Sequence, residues 1–495
     1  MTPDPRTPVL VGAGQVLQRA EDPREAQEPL LLMAEAAERA AEDAGAPDLL
    51  RRLDAIRVPK GLWSYSNPGA WLAQRFGAVR PETQLGVISG TTVLKMLAES
   101  ADDIQAGRRD AILVVGGEAE HSKRRARAQG FEVKRTAQEG PPPDRGMPEV
   151  FDWRNNPDIA AGLLNPTQCF GLFEVALRHR RGESVEAHRR RIAELWARFA
   201  RVAADNPNAW VRDAPDAGAI AEPVGGNRVV AAPYTKYMVA NMVVDQAAAL
   251  LLTSVGTAAS LGIPEERWVY PWVATQADVG KHLSDRGDLA EEGTIRLAGR
   301  RALERAGTAP EELGPVDLYS CFPSAVQLAQ QELGLGEDAT PTVTGGLTFA
   351  GGPFNNYVIH ALATTMERLR KEGERPGFQS AVGGFMARHA FAVLGREPRA
   401  GGFESLDLSD ETTTLPGRTY LADYTGPVTI ESYVVPYAAD APERAVVAAR
   451  TPEGARCWAR SEEADLLAAM VEEEFCGREA FVDADREIRI SASPT

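Results

Sequence analysis

Along the first part of the chain, short apolar runs alternate with longer amphipathic ones. TPVLVGAG reads as a strand, EPLLLMAEAAERAAEDAG as an Ala-rich helix with a glycine stop at Gly45, and LDAIRV as a second strand. A short helix, WLAQRFG, follows, then a strand, LGVIS, running into Gly90, a helix from about Val93 to Gln105, and the run AILVVGG. That last run is apolar throughout, as a strand buried on both faces should be. Such alternation predicts an α/β protein with a mostly parallel sheet covered by helices.

The same order recurs further on. IRLAGRRALERAG reads as a helix, VDLYSCF as a strand, VQLAQQELGL as a helix and TVTGGLTFAGGP as a glycine-rich strand and turn. NYVIHALATTMERLRKEG then reads as a helix and FQSAVGG as a strand ending in a glycine pair. Leu53-Asp54 pairs with Val316-Asp317, Gly90 with Gly352, and Gly116-Gly117 with Gly383-Gly384, which predicts an internal duplication. Between the copies, about residues 118–228 form a segment rich in Arg, Pro and Gly, read as a loop domain inserted into the first half. The first half resumes at VVDQAAALLLTSVGTAASLGIP, with DQAAAL read as helical. After about Arg399 the pattern changes to short strands with Gly/Pro turns, then the helix ADLLAAMVEEEF and a strand EIRISA, which predicts a small C-terminal β-barrel of OB type. The expected units are residues 1–262, 263–398 and 399–495.

A net charge of −16 would repel phosphate backbones, so nucleic acid is not an expected partner. No apolar run approaches the roughly 20 residues of a membrane span. MTPDPRTPVLVGAGQ lacks the basic-then-apolar order of a signal peptide, so a cytoplasmic protein is expected. Cys169, Cys321, Cys457 and Cys476 are scattered without a CxxC pair, which argues against a zinc ribbon or a disulfide framework; no metal is expected. VGAGQVL has only two glycines of a dinucleotide fingerprint, and that reading is set aside. The Arg runs HSKRRARAQ and RHRRGESVEAHRRR are either solvated helix faces or a basic lip for a phosphorylated ligand, which arginine's planar fork suits.

TPVLVGAGQ, DQAAALLLTS with LGIP behind it, VDLYSCF, GGLTFAGGP and AVGGFMARHAF together resemble the thiolase superfamily, most nearly the thiolase-like proteins related to sterol carrier protein-type thiolases. The resemblance covers about residues 7–395. It implies a five-layered αβαβα fold of two similar halves, with helix N-termini pointing at one central site. It also implies the chemistry that is missing. In thiolases a cysteine at a helix N-terminus, activated by the helix field and a histidine, takes an acyl group from CoA, and a second cysteine deprotonates the incoming acyl-CoA. Here the first cysteine's place falls to Gly90, the histidine's to Gly352, the second cysteine's to Ala381, and the family's Asn or His to Tyr319. Glycine forms no thioester and alanine abstracts no proton, so ordinary thiolysis is excluded.

The remaining candidates for catalysis are Tyr319 as donor or acid, Cys321 as a relocated thiol or a small buried side chain, and His389 as general base. Candidates for ligand binding are Gly90 and Thr91, Tyr234 and Lys236 in PYTKYM, Gly352, Asn355, Asn356 and Tyr357 after the glycine turn, and Gly384 with Phe385. Lys236 could pair with a phosphate or carboxylate. The leading expectation is a protein that binds CoA thioesters, as substrate rather than as a tightly held cofactor, and makes or breaks an acyl or carbon–carbon bond without a cysteine thioester. The alternative is a non-catalytic acyl-CoA or lipid carrier. The expected state is a monomer or homodimer.

Overall fold

The computed structural model describes residues 3–138, 140–147 and 156–490. Eight strands come first: β1 (Pro8–Leu17), β2 (Ala55–Val58), β3 (Glu82–Leu85), β4 (Ala111–Ala119), β5 (Arg145–Gly146), β6 (Val229–Ala232), β7 (Tyr234–Thr235) and β8 (Asp245–Ser254). Then come β9 (Tyr270–Asp278), β10 (Val316–Asp317), β11 (Gly377–Gly383), β12 (Arg388–Gly395) and β13 (Glu404–Asp407). The C-terminal strands are β14 (Gly426–Ala438), β15 (Ala441–Pro442), β16 (Ala445–Arg450), β17 (Arg456–Ser461), β18 (Glu479–Val482) and β19 (Ile488–Ile490).

The first sheet runs β1-β8-β4-β2-β3-β5 and the second β10-β11-β12-β9-β13. The two share a plan. β2 is parallel to β4, which is antiparallel to β8, which is antiparallel to β1. In the second sheet β10, β11, β12 and β9 repeat that order and those directions. Helices Thr92–Gln105 and Tyr357–Glu372 lie between the sheets, helix Pro29–Asp43 covers the outer face of the first, and helix Gly293–Ala306 that of the second. This is the five-layered α/β arrangement of two similar halves that the resemblance implies. The central helices send Val93, Leu97, Val358 and Leu362 into one core shared with both sheets.

Helix ends follow local chemistry. Pro68 and Pro323 open helices in the first turn, and Gly77, Gly307 and Gly334 close theirs in the left-handed conformation that a Cβ would disfavour. Several readings of the pattern are corrected. Of LGVIS only Leu85 is strand, the end of β3, and of VDLYSCF only Val316–Asp317, the whole of β10. DQAAAL is strand rather than helix: all ten residues of β8 are buried between β1 and β4, and that burial overrides alanine's helix preference. The only element within TVTGGLTFAGGP is the short helix Gly346–Phe349, where Gly345 and Gly346 at positive φ turn the backbone out of extended geometry.

The C-terminal strands form the small β domain expected, but no closed barrel. β17, β16, β14, β18 and β19 follow one path, and among the described residues its two ends meet only at the single parallel bridge Arg460↔Glu487. The domain is also welded to the rest of the molecule. β14 pairs with β6, setting Val435 against Ala232 and Pro436 against Ala231. Fully buried Arg456 donates to the carbonyls of Leu283, Arg286 and Gly287 and pairs with Glu431 at 2.8 Å. Val434, Val446 and Trp458 belong to the same apolar core as the central helices.

Candidate functional site

A cavity of about 920 Å³ opens where the two halves and the C-terminal domain meet. Several helices begin on its wall. Ser89 and Gly90 line it just before helix Thr92–Gln105, Phe322 caps helix Pro323–Leu333, Phe354 and Asn355 precede helix Tyr357–Glu372, and Asn165 to Gln168 open helix Pro166–Arg181. Helix N-termini carry partial positive charge and unsatisfied N–H groups, so the cavity favours an anionic or carbonyl-bearing ligand.

At the floor the two halves touch. A Cβ on Gly90 would meet the Val382 carbonyl oxygen at 2.2 Å and the Tyr319 hydroxyl at 2.7 Å. Tyr319 therefore fills the space that a nucleophilic side chain at position 90 would need. Its backbone N–H donates to Ser380 Oγ at 2.8 Å and its ring meets Tyr357 edge-on, fixing its pose. The hydroxyl has no hydrogen-bond partner among the described residues, and burial together with the neighbouring Cys321 raises its pKa, keeping it protonated. It is a free donor at a helix N-terminus. The Cys321 thiol also lines the cavity, but burial pushes its pKa up and no imidazole lies on the wall to deprotonate it. At Gly352 a Cβ would have ordinary van der Waals room, so the absence of a larger side chain there leaves open volume.

At the mouth the picture is electrostatic. Arg124, Arg228 and half-buried Lys236 share the rim. Burial lowers the Lys236 pKa, and the charges of Arg228 and Arg124 lower it further, so the three cations feel one another. Among the described residues none of them has an ion-pair partner; the one hydrogen bond from their side chains is Arg228 to the neighbouring Val229 carbonyl, at 3.2 Å. In a chain of net charge −16, three unneutralised cations on one rim mark a place for an anion. Beside them Ile88, Leu164 and Met242 leave apolar side chains exposed. From the C-terminal domain Pro436, Tyr437 and Glu443 complete the wall.

Of the residues singled out from the sequence, Gly90, Tyr319, Cys321, Gly352, Asn355, Gly384, Phe385 and Lys236 line this one cavity. Five do not. His389 is turned away: Nε2 meets the Met386 carbonyl at 2.9 Å, and burial pushes its pKa down to about 4, so it is a neutral brace for the turn at residues 384–386. Tyr234 lies behind the wall, donating to Glu174 at 2.8 Å. Tyr357 donates to Asp317 at 2.8 Å, Asn356 faces His360, and Thr91 bonds Ser89 at 2.8 Å. Asn355 borders the cavity, but its amide is already given to the Lys60 and Val87 carbonyls. The sequence reading missed Arg228, Asn165 to Gln168, Tyr437 and Glu443. Only NPTQ carried a local signal, an Asn cap with Gln three positions on and Pro first in the helix.

The Arg runs are mostly tied up in ion pairs, Arg178 among them as a buried one. Arg178, Arg180, Arg181, Arg190 and Arg191 are held by Glu474, Asp288 and Glu291, Glu337, Glu186 and Glu183 respectively, while Arg124 faces the cavity.

Comparison with solved structures agrees with this architecture. The chain aligns over 80% of its length with 98% of the dimeric peroxisomal thiolase of Saccharomyces cerevisiae (TM-score 0.57, 14% identity) and with 99% of an Ltp2-ChsH2(DUF35) aldolase (TM-score 0.59, 16% identity). Its fold is that of the thiolases. More narrowly, residues 407–487 match the family described as the thiolase-like protein type 1 additional C-terminal domain. Over 99% of its length the chain also resembles all of a monomeric SCP2-thiolase-like protein type 1 from Mycobacterium smegmatis, at 28% identity and a TM-score of 0.82. It is thus thiolase-like in fold, with a C-terminal segment similar to the type 1 additional domain. No curated protein matches it in sequence.

Proposed function

We propose that this protein binds CoA thioesters non-covalently, holding the phosphates at the Arg124, Arg228 and Lys236 rim and directing the thioester toward Tyr319 at the floor. The observation that carries the reading is the cavity itself, which joins an unpaired cationic mouth to a neutral floor under several helix N-termini. Gly90 offers no nucleophile, the Cys321 thiol is held protonated, and His389 faces elsewhere. These features support a ligand cradle over a ping-pong acyltransferase. The open volume beside Gly352 and the apolar Leu347, Phe354 and Phe385 suit an acyl chain.

A second reading, cleavage or formation of a carbon–carbon bond in a CoA thioester, is favoured by one observation. The unpartnered, protonated Tyr319 hydroxyl can donate to a thioester carbonyl or act as an acid. A structural neighbour is an aldolase, a likeness of fold alone. Calorimetric titration with CoA and a series of acyl-CoAs, followed by mass spectrometry of the mixtures, tests both. Micromolar binding with unchanged ligand supports the cradle, new products support the enzyme, and absence of binding removes both. Tyr319→Phe is expected to weaken acyl-CoA binding about 5-fold, the loss of one hydrogen bond, and to abolish turnover if there is any.

A further inference from the structure

We infer that the C-terminal domain is a built part of the ligand site and reads the nucleotide end of the ligand, with Tyr437 as a stacking platform for the base and Glu443 as an acceptor for its amino group. This rests on the CoA reading above and adds to it the part of the ligand that the additional domain recognises.

The geometry comes from one continuous ribbon. β15 pairs with β14 through Tyr437↔Pro442, β14 pairs with β6 through Pro436↔Ala231, and β6 pairs with β7 through Ala231↔Tyr234. The ribbon passes from the C-terminal domain into residues 229–235 of the first half, directly after the inserted segment. It carries Tyr437 and Glu443 at one end, with Arg228 and Lys236 flanking its other strands, and all four line the same cavity. Two backbone bonds fix the ends. The Glu443 N–H donates to the Pro436 carbonyl at 2.9 Å, and the Lys236 N–H donates to the Arg228 carbonyl at 2.9 Å.

Each side chain then has a chemical task that its surroundings leave open. Tyr437 is half-buried, packed against the apolar core of the C-terminal domain, and borders the cavity, where its exposed part can meet a planar group. The Glu443 carboxylate is exposed and makes no ion pair among the described residues, although three cations border the same cavity. A ligand that is anionic throughout would be repelled by Glu443. One that carries phosphates and, next to them, a flat ring with N–H donors suits both groups, and the adenine nucleotide of CoA has that composition. Aromatic stacking and a carboxylate acceptor beside a phosphate-binding rim then distinguish CoA from a phosphopantetheine thioester without a nucleotide.

The test is calorimetric titration of the full-length protein, wild type, Tyr437→Ala, Tyr437→Phe and Glu443→Gln, with acetyl-CoA and with acetyl phosphopantetheine. Tyr437→Ala is expected to weaken acetyl-CoA binding about 10-fold, in the range of base–aromatic stacking, and to leave acetyl phosphopantetheine binding unchanged; Tyr437→Phe keeps the wild-type values. Glu443→Gln is expected to weaken acetyl-CoA binding about 3-fold or more. Wild-type binding of acetyl-CoA with no loss in Tyr437→Ala, or an equal loss for both ligands, overturns the inference and leaves the CoA reading standing. Failure of the wild type to bind either ligand overturns both. Unchanged melting temperatures show that the variants are folded.

Discussion

Two clusters of charge border the same cavity, one behind its wall and one at its mouth, and they are built on opposite rules. Behind the cavity wall, fully buried His188 sits between Glu174 at 2.8 Å and Glu183 at 2.7 Å, and Arg191 closes on Glu183 at 2.8 Å. Tyr234 and Gln327 give Glu174 two more donors, at 2.8 and 2.6 Å. Tyr234 packs on Phe322, which stacks on Phe170, and those two rings form the wall. At the mouth, Arg124, Arg228 and Lys236 have no ion-pair partner among the described residues. A buried charge must be neutralised by the protein itself, because an unpaired one costs several kcal/mol. A rim charge can remain unpaired in water until a ligand arrives. The first cluster therefore belongs to folding and, under the proposed function, the second belongs to binding; the two can be separated by mutation.

The largest expected effect is in the buried cluster. Glu174→Ala leaves His188 and Tyr234 without their shared acceptor and is expected to cost about 3–5 kcal/mol of stability, read as a lower denaturant midpoint, while the fraction that remains folded keeps its ligand affinity. Changing three rim cations should do the reverse. The triple variant Arg124→Ala, Arg228→Ala, Lys236→Ala is expected to lose about 1000-fold or more in acyl-CoA affinity, since charge-assisted bonds contribute roughly 1.5–3 kcal/mol each. Its melting temperature should hold or rise as repulsion is relieved, and the salt dependence of binding should flatten. A triple variant that melts early and binds normally would erase the distinction between the clusters.

The floor offers a test of a different kind, because there the obstacle to thiolase chemistry is shape as well as residue type. Gly90→Cys places a Cβ within 2.2 Å of the Val382 carbonyl and 2.7 Å of the Tyr319 hydroxyl. The expected outcome is no thiolysis in a spectrophotometric assay and a loss of about 1–3 kcal/mol from overpacking. Appearance of thiolase activity in this single variant would mean that Tyr319 yields its place readily.

How much of this was legible in the sequence follows from the range of the signals. The repeated order of strands and helices, and the glycine stops, are local, and they carried both halves of the fold. β8 was misread as helical because its Ala-rich run carries no period of its own, and only pairing with β1 and β4 makes it a strand. β18 (Glu479–Val482) escaped notice because it alternates over only four residues. At the site, Gly90, Tyr319 and Gly352 could be placed from their motifs. His389 could not be excluded, because its hydrogen bond to Met386 depends on a turn in which Gly384, Phe385 and Met386 all have positive φ. Tyr437 and Glu443 could not be foreseen at all. They reach the cavity through the pairing of Pro436 with Ala231, across a gap in sequence that no periodicity spans.

The smallest effect sharpens the same comparison through pH. Burial alone would raise the Glu183 pKa, but hydrogen bonds from His188 and Arg191 outweigh it and hold the carboxylate at about 2 against an ordinary 4.5. A carboxylate whose pKa is depressed on folding stabilises the folded state above its unfolded pKa, and that contribution is lost as pH falls through the folded value. The window is therefore pH 4.5 down to 2. Within it the wild-type melting temperature should fall with acid, and Glu183→Gln should show a shallower slope, because its amide does not titrate. Glu183 is partly open to solvent, which keeps the effect modest. The triple rim variant should retain the full wild-type slope, since the cations it removes have no carboxylate to lose. Equal slopes in wild type and Glu183→Gln would mean that the His188 cluster draws its stability from Glu174 alone.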